Sequence, residues 1–104
     1  MTRRIRHVSY LRSGRLIPKA AGGLRARSVG LRPGERMAWH STGAREELLV
    51  MVRGCLRVDA ETTPGRVRRL MVKSGEAVFL PQRTPHTVVN AFRAAARYLY
   101  VTGA

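Results

Sequence analysis

The chain has a single cysteine, Cys55, among its 104 residues. That excludes an internal disulfide and suits a reducing compartment. Directly after Gly54, Cys55 reads as a small core residue rather than a nucleophile. No apolar run approaches the length needed to cross a bilayer. The start shows no succession of basic, apolar and cleavage-site segments, so the expected location is cytoplasmic. Acidic residues are scarce, six against twenty basic ones, for a net charge of +14. The first acid is Glu35, and every basic residue is arginine except Lys19 and Lys73. A field this positive draws anions: nucleic acid, an acidic metabolite or an acidic partner. Aromatics amount to only 6% and are not interleaved with the arginines, so the platform on which unpaired bases stack is missing. Nucleic acid is therefore the weaker expectation. A sustained 3.6-residue apolar period is lacking too, and with it the main helix signal.

What the chain has instead is short β-branched and aliphatic runs punctuated by Gly and Pro. Strands are expected at 24–31, 46–53, 55–61, 66–73, 76–81, 86–92 and 97–102, with turns at Pro33-Gly34, Gly54, "TTPG" and Ser74-Gly75. So many short strands in one small chain argue for an all-β antiparallel sandwich or barrel. In 55–61, Leu56, Val58 and Ala60 alternate with Arg57, Asp59 and Glu61, which predicts one wet face. In 46–53, Leu49 and Met51 share a face with Glu47, while Leu48, Val50 and Val52 make a second apolar row. A strand apolar on both faces is covered on both, by the other sheet and by a second subunit, so a homodimer is expected. Residues 1–23 form a basic arm or edge strand, with Ile5, Val8, Tyr10 and Leu11 as an irregular strand and residues 12–23 as a flexible join. The barrel itself is assigned to 24–104.

Two blocks carry the chemistry. Gly34, His40, Glu47 and Gly54 stand in one, and Gly75, Pro81, His86 and Asn90 in the other. Their spacing resembles the two motifs of the cupin superfamily over about residues 24 to 104. The resemblance implies a single antiparallel double-stranded β-helix, the cupin or jelly-roll barrel. It also implies a divalent metal inside, held here by His40, Glu47 and His86. Thr42 stands where the first motif has a second histidine, and Arg83 where the second has a glycine. The residue types agree with that role independently. His40 and Thr42 are two apart and share a strand face, Glu47 opens the next strand, and His86 follows the rigid Pro81/Pro85 segment. Two imidazoles and a carboxylate with open positions match the non-haem Fe(II) triad and also suit Mn, Ni, Cu or Zn. Thr42, Arg83 and Met51 are expected near the metal or pocket. Met37, Met71, Trp39, Phe79, Phe92, Tyr98 and Tyr100 suit the barrel lining, Glu46 points away from the site, and Asn90 satisfies backbone groups.

Two functional expectations remain open. One is a metal-dependent small cupin acting on a small polar or anionic molecule by oxygenase, isomerase or lyase chemistry, with no catalytic residue assigned. The other is a non-catalytic small-molecule-binding or sensory cupin, which the weakened ligand set at Thr42 favours. Metal-free acid–base chemistry of the kind used by sugar-nucleotide epimerases needs a histidine–aspartate pair. The single aspartate, Asp59, on an alternating strand, counts against it.

Overall fold

A computed structural model describes residues 3–103. Every regular element among them is a β-strand: β1 (Gly14–Arg15), β2 (Leu24–Leu31), β3 (His40–Ser41), β4 (Glu46–Arg53), β5 (Cys55–Thr63), β6 (Arg66–Lys73), β7 (Ala77–Leu80), β8 (Pro85–Val89) and β9 (Ala96–Gly103). They form two antiparallel sheets, ordered β1-β2-β9-β4-β7 and β3-β8-β5-β6. The architecture is the double-stranded β-helix that the motif spacing implies. β2, β4 and β6 begin and end at the expected residues because glycine, proline or a turn brackets each one.

The core lies between the sheets. Leu49, Met51 and Tyr98 from one meet Leu56, Val58, Val72 and Val88 from the other. Parity along β4 is as its sequence dictates: Glu47, Leu49 and Met51 are buried, whereas Leu48 on the opposite face is 41% exposed. Leu48 pairs in register with Phe79 of β7, which is itself exposed. Phe79, Met71 and Trp39 therefore sit outside the barrel rather than lining it. Met71 follows the same logic, since it is paired with Arg57 on the outer face of its sheet.

Two closures fix the ends. Asn90, fully buried, donates from Nδ2 to the carbonyls of Leu31 (3.0 Å) and Ala94 (2.9 Å), and its Oδ1 accepts the Phe92 N–H. One side chain thus ties the end of β2 to the loop after β8. Gly54, between β4 and β5, has φ of +82°, and a Cβ there would lie 3.0 Å from the Ala95 carbonyl oxygen. Both conformation and space require glycine at that turn.

Two expectations are corrected. Asp59 does not face water; it is 3% exposed. Arg57 covers it in a two-point pair, Nε to Oδ1 at 2.8 Å and an Nη to Oδ2 at 3.1 Å. Alternation sets which face a side chain takes, not what lies over that face. In the arm, no strand forms around Ile5 to Leu11, and Ile5 is 94% exposed. The edge ladder comes later. Gly14 and Arg15 pair with Ser28 and Arg27 of β2, and the Leu16 N–H donates to the Ala26 carbonyl at 2.9 Å. The buried Ser28 hydroxyl donates to the Tyr10 carbonyl and accepts from Arg97 at 2.8 Å, so the arm is bound to the sheet it borders.

Candidate functional site

β3 is only two residues long, yet it places His40 directly opposite His86 of β8. Their rings meet edge-on with centroids 4.3 Å apart. Glu47 reaches the same point from β4, in the other sheet. One ligand atom from each of the three residues lies within 4.8 Å of the other two. The sequence-derived trio is therefore brought together in space, bridging the two sheets at one end of the barrel.

The hydrogen bonds fix the electronics. His86 Nδ1 lies 2.8 Å from the Thr84 carbonyl, and a carbonyl only accepts, so Nδ1 carries a proton. The lone pair or second proton of this ring is thereby assigned to Nε2. That atom is 3.3 Å from Glu47 Oε2, an ion-pair distance. It is nevertheless the one buried side-chain nitrogen or oxygen among the described residues without a hydrogen-bond partner, because the contact is misaligned for an N–H···O bond. His40 repeats the pattern, with Nδ1 held at 2.8 Å by the Ala38 carbonyl and its other nitrogen released toward the cavity. A buried nitrogen that faces a carboxylate off-axis, beside a second imidazole with the same free edge, fits a cation seated among all three. Donors bound at about 2.0–2.2 Å to one ion lie roughly 3 Å apart, and the Glu47–His86 pair already has that spacing.

The same surroundings set the protonation of His86. Burial works against charge on the ring, but the Glu47 contact, the Thr84 carbonyl and the Glu47 charge together outweigh it and raise its pKa. A raised folded-state value stabilises the fold fully below the unfolded imidazole range and less as pH rises through the folded value. The metal-free protein is therefore expected to lose thermal stability as pH rises from 6 to 8. His86→Gln should flatten that slope; a slope that persists in this variant would assign the effect to other groups. Tyr98 is raised by its burial first, then by the charge of Glu47 and by Tyr100, so its phenol stays neutral beside the site.

The other expected site residues divide. Thr42 lines the cavity, but its hydroxyl donates to the Pro81 carbonyl at 2.7 Å and accepts the Thr84 N–H at 3.0 Å. It clips the loop that carries His86, and its oxygen is already engaged. Arg83 lies on the exposed turn, outside the cavity wall, with φ of +55° and its N–H given to the Gly43 carbonyl at 2.8 Å. That left-handed conformation explains why the motif carries glycine there. Met51 is buried in the apolar core opposite Tyr98, about 13 Å along the strand from Glu47 at about 3.3 Å per residue.

The cavity beside the trio measures about 470 Å³, and Met37, Tyr98, Tyr100 and Thr102 help to wall it. Arg15, Lys19, Arg25, Arg27 and Arg45 also wall it, with Glu47 as the one acid. These cations were missed in the sequence, although the alternation in "LRARSVGL" puts Arg25 and Arg27 on the same face as Val29 and Leu31.

A family model described as "Cupin domain" matches residues 27–102. Among solved structures, a Cupin 2 conserved barrel domain protein from Salinispora arenicola aligns with TM-score 0.76 at 18% identity, covering 100% of this chain and 91% of that one. A cupin family protein with a double-stranded β-helix fold from Methanocaldococcus jannaschii aligns with TM-score 0.75 at 15% identity, covering 99% and 92%. An oxalate oxidase in complex with glycolate aligns with TM-score 0.73 at 19% identity over 79% of this chain, which spans only 42% of that protein. No curated protein sequence matches the chain.

Proposed function

The chain belongs to the cupin domain family, and we propose that it holds one divalent cation through His40, Glu47 and His86 and presents it to a small molecule entering the barrel. The observation that carries this reading is the buried His86 Nε2, partnerless and 3.3 Å from the Glu47 carboxylate. Such an ion supplies a Lewis acid with open coordination positions. The protein's part is orientation. The carbonyls of Ala38 and Thr84 hold both imidazoles with Nδ1 protonated, so Nε2 is the donor. Glu47 brings negative charge from the opposite sheet, and the neutral Tyr98 phenol adds none. Fe, Mn, Ni, Cu and Zn all accept this donor set.

A second reading, capture or sensing of a small molecule without turnover, is supported by Thr42. Its hydroxyl serves the backbone, which leaves three protein donors and a more weakly held ion. The apolar pair Leu48 and Phe79, both exposed, supports the expected pairing of two copies.

The test is elemental analysis after reconstitution with each of the five metals and gel filtration. About one equivalent of at least one metal per chain is expected. Uptake well below that for all five overturns the reading.

A further inference from the structure

The cations around the cavity are arranged. Arg25 and Arg27 of β2 stand in register with Thr102 and Tyr100 of β9, and Thr102 is in turn the partner of Glu47 on β4. Side chains of one cross-strand row project from the same face, so both arginines share the concave face with Glu47 and line the cavity. Arg15 is the register partner of Arg27 at the sheet edge, so three guanidinium side chains crowd one corner. Among the described residues, no carboxylate lies within ion-pair distance of Arg15, Arg25 or Arg27, while Asp59 and Glu47 pair elsewhere. Arg45, anchored to the Gly23 carbonyl at 3.3 Å, walls the cavity from the β3–β4 loop.

Like charges on adjacent positions of one sheet face repel and destabilise the fold. Arg27 is half-buried, and a guanidinium there without a counter-charge adds a desolvation cost. An anion in the cavity removes both. The row geometry also sets its length. Arg25, Thr102 and Glu47 lie on three neighbouring strands about 4.8 Å apart, so the backbones of Arg25 and Glu47 are about 10 Å from each other. An arginine side chain covers much of that span, which leaves room for a short molecule between guanidinium and cation.

We propose that this cavity takes a small organic dianion, one carboxylate meeting the cation at His40, Glu47 and His86 and a second anionic group, carboxylate or phosphate, held by Arg25 and Arg27. The proposal rests on the metal reading above and adds the second anchor. It makes β2, which lies outside the metal trio, the part of the chain that selects the ligand.

The experiment uses the full chain loaded with Co(II), its metal content measured first, and titrates acetate, malonate, succinate and inorganic phosphate at one ionic strength. Malonate or succinate is expected to bind about tenfold or more tighter than acetate, the second anionic group adding a charge-assisted pair. In Arg25→Gln/Arg27→Gln that advantage should disappear while Co(II) content and acetate affinity stay as they were. Arg4→Gln/Arg93→Gln removes the same charge from exposed positions outside the cavity and should keep it. Phosphate outcompeting both dicarboxylates, with that advantage lost in Arg25→Gln/Arg27→Gln, would identify the second group as phosphate. One equivalent of Co(II) with dicarboxylates no tighter than acetate overturns this proposal and spares the metal reading. So does an advantage that survives in the first variant or is lost equally in the second. Failure to take up Co(II) and each of the five metals named above removes both.

Discussion

His86→Ala is expected to lower affinity for the divalent ion on the order of a thousandfold. Loss of a group that merely orients a ligand costs about 10- to 100-fold, and His86 is proposed as a donor itself. The atom at stake is Nε2, held by the Nδ1–Thr84 contact in the one orientation that faces Glu47. Removing the ring also leaves the buried Glu47 carboxylate without its partner. Because His86 is fully buried, alanine opens a void as well, so His86→Gln serves as the variant that keeps most of the volume. Both variants should show folded circular dichroism and both should fail to retain metal through gel filtration. Near-full occupancy in a folded His86→Gln protein would remove His86 from the ligand set.

Gly54→Ala is expected to be the most damaging single-methyl change in the chain. A left-handed residue with a Cβ costs about 1–2 kcal/mol, and forcing an atom into filled space adds about 1–3 kcal/mol. Both apply at Gly54, where the new methyl meets the Ala95 carbonyl and Ala96 Cβ at 3.0 Å. In a chain of this size the sum lowers the unfolding temperature by roughly 10–20 °C. Gly75→Ala is the matched control, since its φ of +89° is equally left-handed but nothing lies within 4 Å of the added carbon. Thermal melts of the pair separate the two causes; equal losses would show that the close approach to Ala95 contributes nothing.

The residues most legible in the sequence were those whose information is local. The glycine and proline brackets around β2, β4 and β6 fixed their limits, and the spacing of the two motif blocks pointed to His40, Glu47 and His86 as a group. What failed to show was whatever depends on a neighbour far along the chain. β1 exists because β2 has a free edge, and nothing in Gly14-Arg15 announces it. The burial of Asp59 comes from Arg57 folding over it, although both stand on a strand whose alternation reads as solvent-facing. Met51 shares a face with Glu47, but sharing a face says nothing about depth, and Met51 lies well down the strand. The cationic wall is the intermediate case. Its parity was readable in "LRARSVGL", but its position beside Glu47 needed the β2–β9–β4 register.

The three convergent side chains also belong to different layers: His40 and His86 come from one sheet, Glu47 from the other. An ion gripped by all of them would act as a cross-brace between the two walls at that end of the barrel. Any breathing motion that parts the walls would pull on the brace, and any departure of the ion would loosen the walls. Occupancy and rigidity would then be a single mechanical property of the protein, read at either place.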